Sequence, residues 1–358
     1  MSKKEKNIPI ILSEGKYTTT DISKLKKEVS IWKTKDIYEI QLEELFEITH
    51  PAFIEDTQKK ERFMQERLSE KDIRGDWIYY PWSGMLVHTV NKCDYWLLRT
   101  NRNQNLITKR EQEKLRNFTV GIVGLSVGSH TAVNLAYCGI ANSIKLAEYD
   151  TLDTTNLNRV RARMDQIGES KIDITRQQVY EMNPYADLIS FEEGLSGKNL
   201  HAFITKDPAP KIIFEIIDNF EMKIKLRVAA RKARIPVVMF SNLGDSILVD
   251  IERYDVDVST PLFNGRAGST PEEIVNHPDV TDGDKNKYAV DLVGVENVPK
   301  RAMESVREIG KTLVGRPQLM STVSISGGLG SYITRQIALN KEMKGGRFLV
   351  KFGDLFYH

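Results

Sequence analysis

Cysteine is scarce in this sequence of 358 residues, which contains two, Cys93 and Cys138. Two isolated cysteines do not build a disulfide framework. They also cannot supply the paired Cys-x-x-Cys ligands of a structural zinc site, so we predict no zinc. Cys138 has the apolar spacing of a packed helix, where cysteine behaves as a small hydrophobic residue. Cys93 stands between two charged residues, and we do not assign it as a nucleophile.

The sequence also lacks a large net charge and a long apolar run. Lys and Arg total 51, and Asp and Glu total 49, which gives a formal net charge of +2. Charges so evenly balanced do not indicate nucleic acid or an acidic membrane as a partner. No apolar run approaches the roughly 20 residues of a membrane-spanning helix, and the N-terminal apolar stretch is too short for a secretory signal. We expect a soluble, cytoplasmic protein.

Tryptophan is absent after residue 100, and all four tryptophans lie before it. Charged, periodic stretches in this first part predict helices, and apolar stretches around a Pro-Trp-Ser-Gly turn predict strands. We predict a smaller α+β N-terminal module over residues 1–100, which could clamp a substrate or partner or only brace the larger domain over residues 101–358. The helices are predicted at residues 36–50 and 59–71, and the strands at residues 75–90 and 93–100.

From residue 119 onward, predicted strands and helices alternate regularly. Such alternation is typical of a parallel sheet with helices on both faces, whose ligands bind at the carboxyl ends of the strands. The predicted fold class is α/β, with a Rossmann-like, doubly wound, mostly parallel sheet. Strands are predicted at residues 119–124, 143–149, 187–192, 211–217 and 235–240, and helices at residues 128–139, 168–182, 197–205 and 219–233.

The last part of the chain has less regular signals. Residues 247–255 predict an added antiparallel strand. Residues 256–299 are rich in Pro, Gly, Asp and Asn and predict a long crossover loop, either a lid or a disordered segment. Residues 316–339 predict a helix that is apolar on more than one face, buried at a subunit interface or inside the chain. A final strand is predicted within residues 345–356.

A small-residue loop follows the first strand of the larger domain and contains Gly124, Ser126, Gly128 and Ser129. Small residues let backbone N–H groups approach a phosphate, and the following helix presents its positive end to the anion. Glycines in a strand-to-helix turn also occur for steric reasons, and either serine could simply cap the helix. The loop by itself therefore indicates a nucleotide site without deciding its chemistry.

Two acidic residues, Glu148 and Asp150, end the next predicted strand. An acidic residue about twenty positions after such a loop commonly accepts hydrogen bonds from a ribose. The loop and the acidic pair together suit any dinucleotide site on this fold. An NAD- or FAD-dependent oxidoreductase is therefore one interpretation that these residues leave open.

Polyphosphate-handling groups distinguish the chain from hydride-transfer enzymes. Asn156, Arg159, Lys171 and the pair Asp218-Asn219 lie near predicted strand ends. An arginine, a lysine and a carboxylate that converge there can neutralise a triphosphate and hold magnesium, whereas hydride transfer has little use for them. The alternative for Arg159 is a solvated basic helix face, which we prefer for the two arginines that follow it.

The order of these motifs resembles that of the ThiF/MoeB/ubiquitin-activating adenylyltransferase family. In that family the strand-loop-helix is followed by an acid-x-Asp pair, an Asn-Leu-x-Arg run, a Gly-x-x-Lys and an Asp-Asn. The resemblance covers roughly residues 100–251. The corresponding motifs here are Glu148-Tyr-Asp150, Asn156-Leu-Asn158-Arg159, Gly168-Glu-Ser-Lys171 and Asp218-Asn219.

The resemblance implies ATP- and magnesium-dependent adenylation of a carboxylate. It implies phosphate contacts from the arginine and the lysine, a phosphoryl contact from the asparagine of the Asn-Leu-x-Arg run, a ribose contact from the acidic pair, and magnesium on Asp218. It also implies an arginine from a homodimer partner, for which Arg102 is the candidate. The implied catalytic residues are Arg159, Lys171, Asp218, Asn156 and Arg102, and the implied nucleotide-binding residues are Gly124, Ser126, Gly128, Ser129, Glu148, Asp150 and Asn219.

Some features depart from the family pattern. The loop is one residue shorter than usual and has Ser126 where a central glycine is expected. No cysteine follows Cys138, so the thioester step of ubiquitin-activating members is not expected. The zinc-binding cysteine pairs of many relatives are missing as well. The C-terminal helix and strand resemble, more loosely, those of standalone and nitroreductase-fused ThiF-like proteins.

From the residues and the resemblance together, we expect an adenylyltransferase that activates the C-terminus of a ubiquitin-like or sulfur-carrier protein, or a peptide. The acyl-adenylate would pass to an external thiol or amine. The two alternatives are the oxidoreductase on the same fold and an inactive nucleotide-binding scaffold that regulates a partner.

Overall fold

The computed structural model describes residues 5–266 and 292–356 of the chain. The chain divides into two compact units, which we describe separately. The first comprises the described residues up to Gln112 with Arg176–Tyr185, and the second comprises Glu113–Thr175 and the described residues from Ala186 onward. The predicted domain boundary at residue 100 stays a prediction. No helix in these described residues has the length and apolar character that crossing a bilayer requires.

The first unit is an α+β arrangement around a small sheet. Its elements are β1 (Ile10–Leu12), α1 (Thr19–Glu28), β2 (Lys33–Asp36), α2 (Tyr38–Thr49), α3 (Thr57–Leu68), β3 (Asp76–Tyr80), β4 (Met85–Thr89) and α4 (Lys92–Thr100). The strands have the order β1-β3-β4-β2. In its core the buried His88 ring stacks between Trp77 and Tyr38, with centroid distances of 4.4 Å and 4.8 Å. The His88 ring therefore serves packing in the core of the first unit.

Our prediction of a strand over residues 93–100 is wrong, because these residues form most of α4. Asn91 caps the helix, since its side chain accepts the backbone N–H groups of Cys93 and Asp94 at 3.0 Å and 3.1 Å. Tyr95 and Leu98 lie three positions apart and pack against the buried residues of α2. An asparagine cap and an i, i+3 apolar pair are helix signals that outweigh the β propensity of the aromatic residues here.

The second unit contains the larger sheet. After α5 (Lys109–Arg116), the elements in chain order are β5 (Thr119–Val123), α6 (Gly128–Tyr137), β6 (Ser143–Ala147), α7 (Lys171–Met182), β7 (Asp187–Phe191), α8 (Leu200–Thr205), β8 (Ile213–Glu215), α9 (Phe220–Lys232), β9 (Val237–Leu243), β10 (Ser246–Glu252), α10 (Lys300–Glu308), α11 (Met320–Ala338), β11 (Gly346–Lys351) and α12 (Gly353–Phe356). Of α7, the residues from Arg176 onward belong to the first unit.

The order of the seven strands is β11-β10-β9-β8-β5-β6-β7. The strands from β9 to β7 in that order pair in parallel, and β10 and β11 pair antiparallel. The chain runs from β5 outward to β7, then returns to β8 on the other side of β5. The carboxyl ends of β5 and β8 therefore meet at the switch point, where ligands bind in doubly wound sheets. The predicted fold class is confirmed.

The predicted crossover loop at residues 256–299 is described only at its two ends. The first end contains a 3-10 turn at Leu262–Gly265, and the second contains one at Val295–Asn297. Residues 267–291 lie outside the described residues. The antiparallel strand predicted at residues 247–255 is present as β10, which ends at Glu252.

Helix α11 packs on α6 of the same unit through glycines. A Cβ on Gly327 would lie 2.7 Å from the Cβ of His130, and a Cβ on Gly330 would lie 2.7 Å from Cγ2 of Thr131. Only residues without a side chain allow the two helices to approach so closely. This face of the helix is therefore buried inside the chain, and a subunit interface on the rest of the helix stays a prediction.

Replacing Gly327 by alanine should destabilise the protein, because the new methyl group would overlap α6. We expect Gly327→Ala to lower the free energy of unfolding by about 1–3 kcal/mol. The control is Gly328→Ala, because a Cβ on Gly328 would meet nothing within 4 Å and alanine is the better helix former by about 1 kcal/mol. Urea unfolding followed by circular dichroism measures both changes. Equal shifts for the two variants would contradict the packing described here.

Candidate active site

The loop after β5 requires a glycine at its first position. Gly124 has a φ of +91°, and a Cβ there would lie 2.2 Å from the carbonyl oxygen of Ile216. No side chain fits this position. Because Ile216 follows β8, the contact holds the loop against the carboxyl end of β8. The predicted phosphate loop and the segment that leads to Asp218 therefore lie side by side.

Glu148 braces this loop from the neighbouring strand. Its carboxylate is buried and accepts the backbone N–H of Leu125 at 2.7 Å, and those of Tyr149 and Asp150 at 2.8 Å and 3.1 Å. These three N–H groups satisfy the buried carboxylate with hydrogen bonds. Glu148 thus shapes the loop, a role that the sequence did not indicate. Its predicted ribose contact stays a prediction.

The remaining loop residues serve partly for packing. A Cβ on Gly128 would lie 2.8 Å from Cγ2 of Ile122, so this glycine lets α6 start close to the sheet. The Ser129 hydroxyl is buried and donates to the Ser126 carbonyl oxygen at 2.9 Å. Ser126 is partly exposed, whereas its neighbours from Gly124 to Ser129 are buried. The Ser126 position is therefore where this loop reaches solvent.

The Arg159 side chain is held in place by neighbouring residues of its own turn. Its Nη1 donates to the Thr155 carbonyl oxygen at 3.0 Å and to the Asn158 side chain at 2.9 Å. Its Nε is buried and has no hydrogen-bond partner among the residues described. Burial lowers the pKa of Arg159, and the carboxylate of Asp218 opposes that effect. An arginine guanidinium is charged at neutral pH in any case, and Nε is a donor without an acceptor among the described residues.

Asn156 orders the turn that precedes Arg159. The Asn156 side chain is buried and accepts the backbone N–H of Asp153 at 3.3 Å. The Asp153 side chain completes a capping box with the Asn156 backbone. The backbone N–H of Arg159 then donates to the Asn156 carbonyl oxygen at 2.9 Å. This asparagine thus has a structural role, and its predicted phosphoryl contact stays a prediction.

His130 in α6 is a site residue that the motifs did not reveal. Its ring is buried, and Nε2 donates to the backbone carbonyl oxygen of Arg159 at 3.0 Å. Nδ1 has no hydrogen-bond partner among the residues described. Burial lowers the pKa of His130 to about 4, although the bond to Arg159 opposes the shift. The imidazole is therefore neutral near pH 7 and fastens Arg159 to the first turn of α6.

Lys171 forms an ion pair with Asp150, the second of the two acidic residues that follow β6. Its Nζ lies 3.0 Å from Oδ2 of Asp150, and its backbone N–H donates to the Asp150 carbonyl oxygen at 3.0 Å. The lysine is buried, whereas the aspartate side chain is half exposed. The structure brings the predicted phosphate ligand and the predicted ribose ligand into direct contact.

Asp218 projects into solvent from the segment after β8, with 90% of its side chain exposed. The next residue, Asn219, caps α9 by accepting the backbone N–H of Met222 at 2.9 Å. Asp218 Oδ1 lies 2.6 Å from Nη2 of Arg316. This arginine was not predicted as a site residue, because it belongs to no motif and lies far from Asp218 in the sequence.

A buried charge network supports the segment that carries Asp218. The backbone N–H of the residue before Asp218 donates to Glu215 at 3.0 Å. Glu215 also pairs with Lys223 at 2.8 Å and with the buried Arg227 at 2.6 Å, and Arg227 contacts Glu252 at 2.7 Å. Burial alone would raise the pKa of Glu215, but Lys223 and Arg227 lower it. The network fixes where β8 ends.

The residues present fit a magnesium ion that is bound together with phosphates. No group of three or more His, Cys, Asp or Glu within residues 5–266 and 292–356 could hold a metal by itself. Magnesium is usually held by one or two carboxylates and the phosphates of a substrate, rather than by an all-protein cage. Asp218 supplies one exposed carboxylate of that kind. The predicted absence of zinc stays a prediction.

Arg102 lies in the first unit, within the 3-10 turn Asn101–Asn103. Its predicted role as an arginine supplied by a homodimer partner stays a prediction. The other predicted site residues all belong to the second unit, at or near the carboxyl ends of β5, β6 and β8.

Residues 99–245 match the ThiF family. This span contains all the predicted site residues. The chain carries a ThiF family domain. The resemblance inferred from the motifs is thereby confirmed, and members of this family are ATP-using adenylating enzymes.

Curated relatives of this chain match it over only part of their own length. The uncharacterized protein MT1398 of Mycobacterium tuberculosis (strain CDC 1551 / Oshkosh) is 32% identical over 274 residues, which cover 76% of this chain and 37% of that protein. The chain spans from 31% to 62% of the length of the first curated relatives that it matches.

Two solved structures share the fold. The structure of E. coli MccB with MccA-N7isoASN matches with a TM-score of 0.51 at 15% identity. The match covers 87% of this chain and 84% of the MccB chain. The structure of E. coli tRNA N6-threonylcarbamoyladenosine dehydratase, TcdA, in complex with ATP matches with a TM-score of 0.50 at 16% identity. The match covers 69% of this chain and 96% of the TcdA chain. At these identities the likeness concerns the fold alone.

The neutral, buried His130 should make the stability of the ThiF domain depend on pH. In the unfolded chain the imidazole takes up a proton as the pH falls through about 6.5, whereas the folded one stays neutral down to about 4. The unfolded state binds more protons in this window. The free energy of unfolding should therefore fall by up to about 3 kcal/mol between pH 6.5 and pH 4, and this contribution should be constant above pH 6.5.

His130→Gln isolates this effect, because glutamine can still donate to the Arg159 carbonyl oxygen but does not titrate. Chemical denaturation of both proteins from pH 4 to pH 8 should show that the variant gains on the wild type as the pH falls. Parallel stability curves would show that the folded imidazole titrates normally.

Proposed function

We propose that the protein is an ATP- and magnesium-dependent adenylyltransferase that activates a carboxylate as an acyl-adenylate. The observation that carries the proposal is the buried Nε of Arg159, which has no hydrogen-bond partner within the described residues. A buried guanidinium N–H without an acceptor costs free energy unless a ligand satisfies it. The Arg159 backbone is bonded to His130, directly after the phosphate-type loop of a ThiF domain, which supports an anionic nucleotide as that ligand.

In the proposed reaction, a carboxylate oxygen of the substrate attacks the α-phosphorus of ATP. The bond from the α-phosphorus to the bridging oxygen breaks, and pyrophosphate leaves. Arg159 and Lys171 stabilise the negative charge that develops on the phosphoryl oxygens. An ionised carboxylate needs no general base, so the neutral His130 has only to hold Arg159 in position.

Asp218 would hold magnesium together with the phosphates. When bound, the ion supplies a Lewis acid that stabilises the leaving pyrophosphate. The exposed side chain of Asp218 is accessible for this role, and the Glu215 network fixes the backbone from which it projects.

Neither cysteine is assigned to the proposed chemistry. Cys93 is exposed and belongs to the first unit, and Cys138 is half-buried at the end of α6. We therefore propose that the acyl-adenylate passes to an external thiol or amine, or reacts within the substrate itself. This absence of an internal thioester separates the proposal from the mechanism of ubiquitin-activating enzymes.

The proposed substrate is the C-terminus of a ubiquitin-like or sulfur-carrier protein, or a peptide. The resemblance to the ThiF/MoeB/ubiquitin-activating family supports a C-terminal carboxylate. The structure of MccB with MccA-N7isoASN and that of TcdA with ATP come from proteins of the same fold. We further propose that the protein acts as a homodimer in the cytoplasm and that Arg102 of the partner subunit is the arginine that the dimer supplies to the site.

Pyrophosphate exchange into ATP tests the reaction. Purified protein with magnesium, labelled pyrophosphate and pools of small proteins and peptides should catalyse exchange that depends on an added carboxylate. Asp218→Ala should reduce exchange by about 100-fold or more, because it removes the carboxylate that holds magnesium. The matched control is Asp245→Ala, at an exposed aspartate in the turn between β9 and β10.

Binding measurements separate the alternatives. ATP binding without exchange under any substrate pool would favour the inactive scaffold, and tight NAD or FAD binding would favour the oxidoreductase. If the protein bound no ATP at all, the adenylation proposal would be wrong.

A further inference from the structure

Arg316 contacts the candidate active site from outside the part of the chain that matches the ThiF family. That match ends at residue 245, whereas Arg316 lies in the segment just before α11. Its Nη2 lies 2.6 Å from Oδ1 of Asp218, the residue for which we propose magnesium binding. The pair thus joins a residue beyond the family match to the predicted metal ligand.

This ion pair is exposed and can be exchanged easily. The side chains of Arg316 and Asp218 are 56% and 90% exposed, respectively. Exposed pairs of this kind contribute little to stability, because water competes for both charges. A divalent cation competes strongly for a carboxylate, so the pair should separate when Asp218 binds magnesium.

The Arg316 backbone is nevertheless fixed near the site. The Asn158 side chain donates to the Gln318 carbonyl oxygen at 2.9 Å, which ties this segment to the turn that carries Arg159. The following helix α11 is held on α6 by the close glycine contact at Gly327. The guanidinium therefore stays close to the site after it leaves Asp218.

We propose that Arg316 is a further phosphate-binding residue of this site, held by Asp218 in the free protein and transferred to the phosphates of ATP when Asp218 binds magnesium. The inference rests on the proposed function. A guanidinium next to a metal-bound carboxylate is repelled by the cation, and the polyphosphate is the anion that arrives with it. The planar N–H donors of arginine match phosphate oxygens.

Removing the Arg316 side chain should change the affinity for ATP with magnesium in opposite directions under two hypotheses. In one, Arg316 binds the phosphates, and in the other it only competes with magnesium for Asp218. If Arg316 binds phosphates in the magnesium complex, Arg316→Ala weakens the binding of ATP with magnesium. If it only occupies Asp218, the same variant releases the carboxylate and tightens that binding. Without magnesium the arginine is engaged by Asp218, so the variant should change ATP affinity little.

Isothermal titration calorimetry with ATP, in magnesium or in EDTA, tests the proposal without the unidentified acyl substrate. We expect Arg316→Ala to weaken binding about 5- to 50-fold in magnesium and less than about 2-fold in EDTA. Adenosine, which lacks phosphates, should bind both proteins equally. The control variant is Arg307→Ala, at an exposed arginine of α10.

A double-mutant cycle in EDTA gives a second readout. Asp218→Ala frees Arg316, so metal-free ATP should bind this variant more tightly than the wild type. Adding Arg316→Ala should cancel that gain. Unchanged or tighter magnesium-ATP binding by Arg316→Ala overturns the inference while leaving the proposed function in place, whereas a wild type that binds no ATP overturns both.

Discussion

The close approach of Gly124 to the carbonyl oxygen of Ile216 is the contact on which the candidate active site depends. It joins the loop after β5 to the end of β8, the two strands at the switch point of the sheet. Glu148 holds the same loop from β6 by accepting the N–H of Leu125. Three neighbouring strands thus fix the loop during folding, so its backbone needs little reorganisation when an anion binds.

The charged groups of the site are largely paired before any ligand is bound. Lys171 contacts Asp150, and Arg316 contacts Asp218. Arg159 differs, because part of its guanidinium is buried without an acceptor among the described residues. A nucleotide would therefore exchange existing ionic partners for new ones at most positions, and would satisfy an unmet hydrogen-bond donor at Arg159.

The parts of the site that could be predicted from the sequence are those encoded locally. Gly124, Lys171 and Asp218 each follow a strand or start a helix, so the strand pattern alone places them at one edge of the sheet. The parallel, doubly wound character of the sheet followed from the same alternation, whereas the order of its strands comes from the structure. The β propensity of the aromatic residues misled the interpretation of residues 93–100, where a cap at Asn91 decides for a helix.

The residues that escaped prediction act through contacts that are distant in sequence. His130 stands in a helix whose pattern indicates only packing, and its bond to Arg159 spans 29 positions. Arg316 lies 98 positions from Asp218. Glu148 stood in a recognisable motif, but its three backbone contacts depend on the geometry of the loop. Such roles follow from the fold and from no short pattern.

The buried network of Glu215, Arg227 and Glu252 limits how this part of the chain can change during evolution. All three side chains are fully buried, so losing one of them leaves an uncompensated charge in the interior. Losing one member of a buried ion pair is strongly destabilising, whereas replacing the whole set by apolar residues is often tolerated. Single-residue drift at these positions is therefore blocked, and among related sequences the three should be kept together or replaced together.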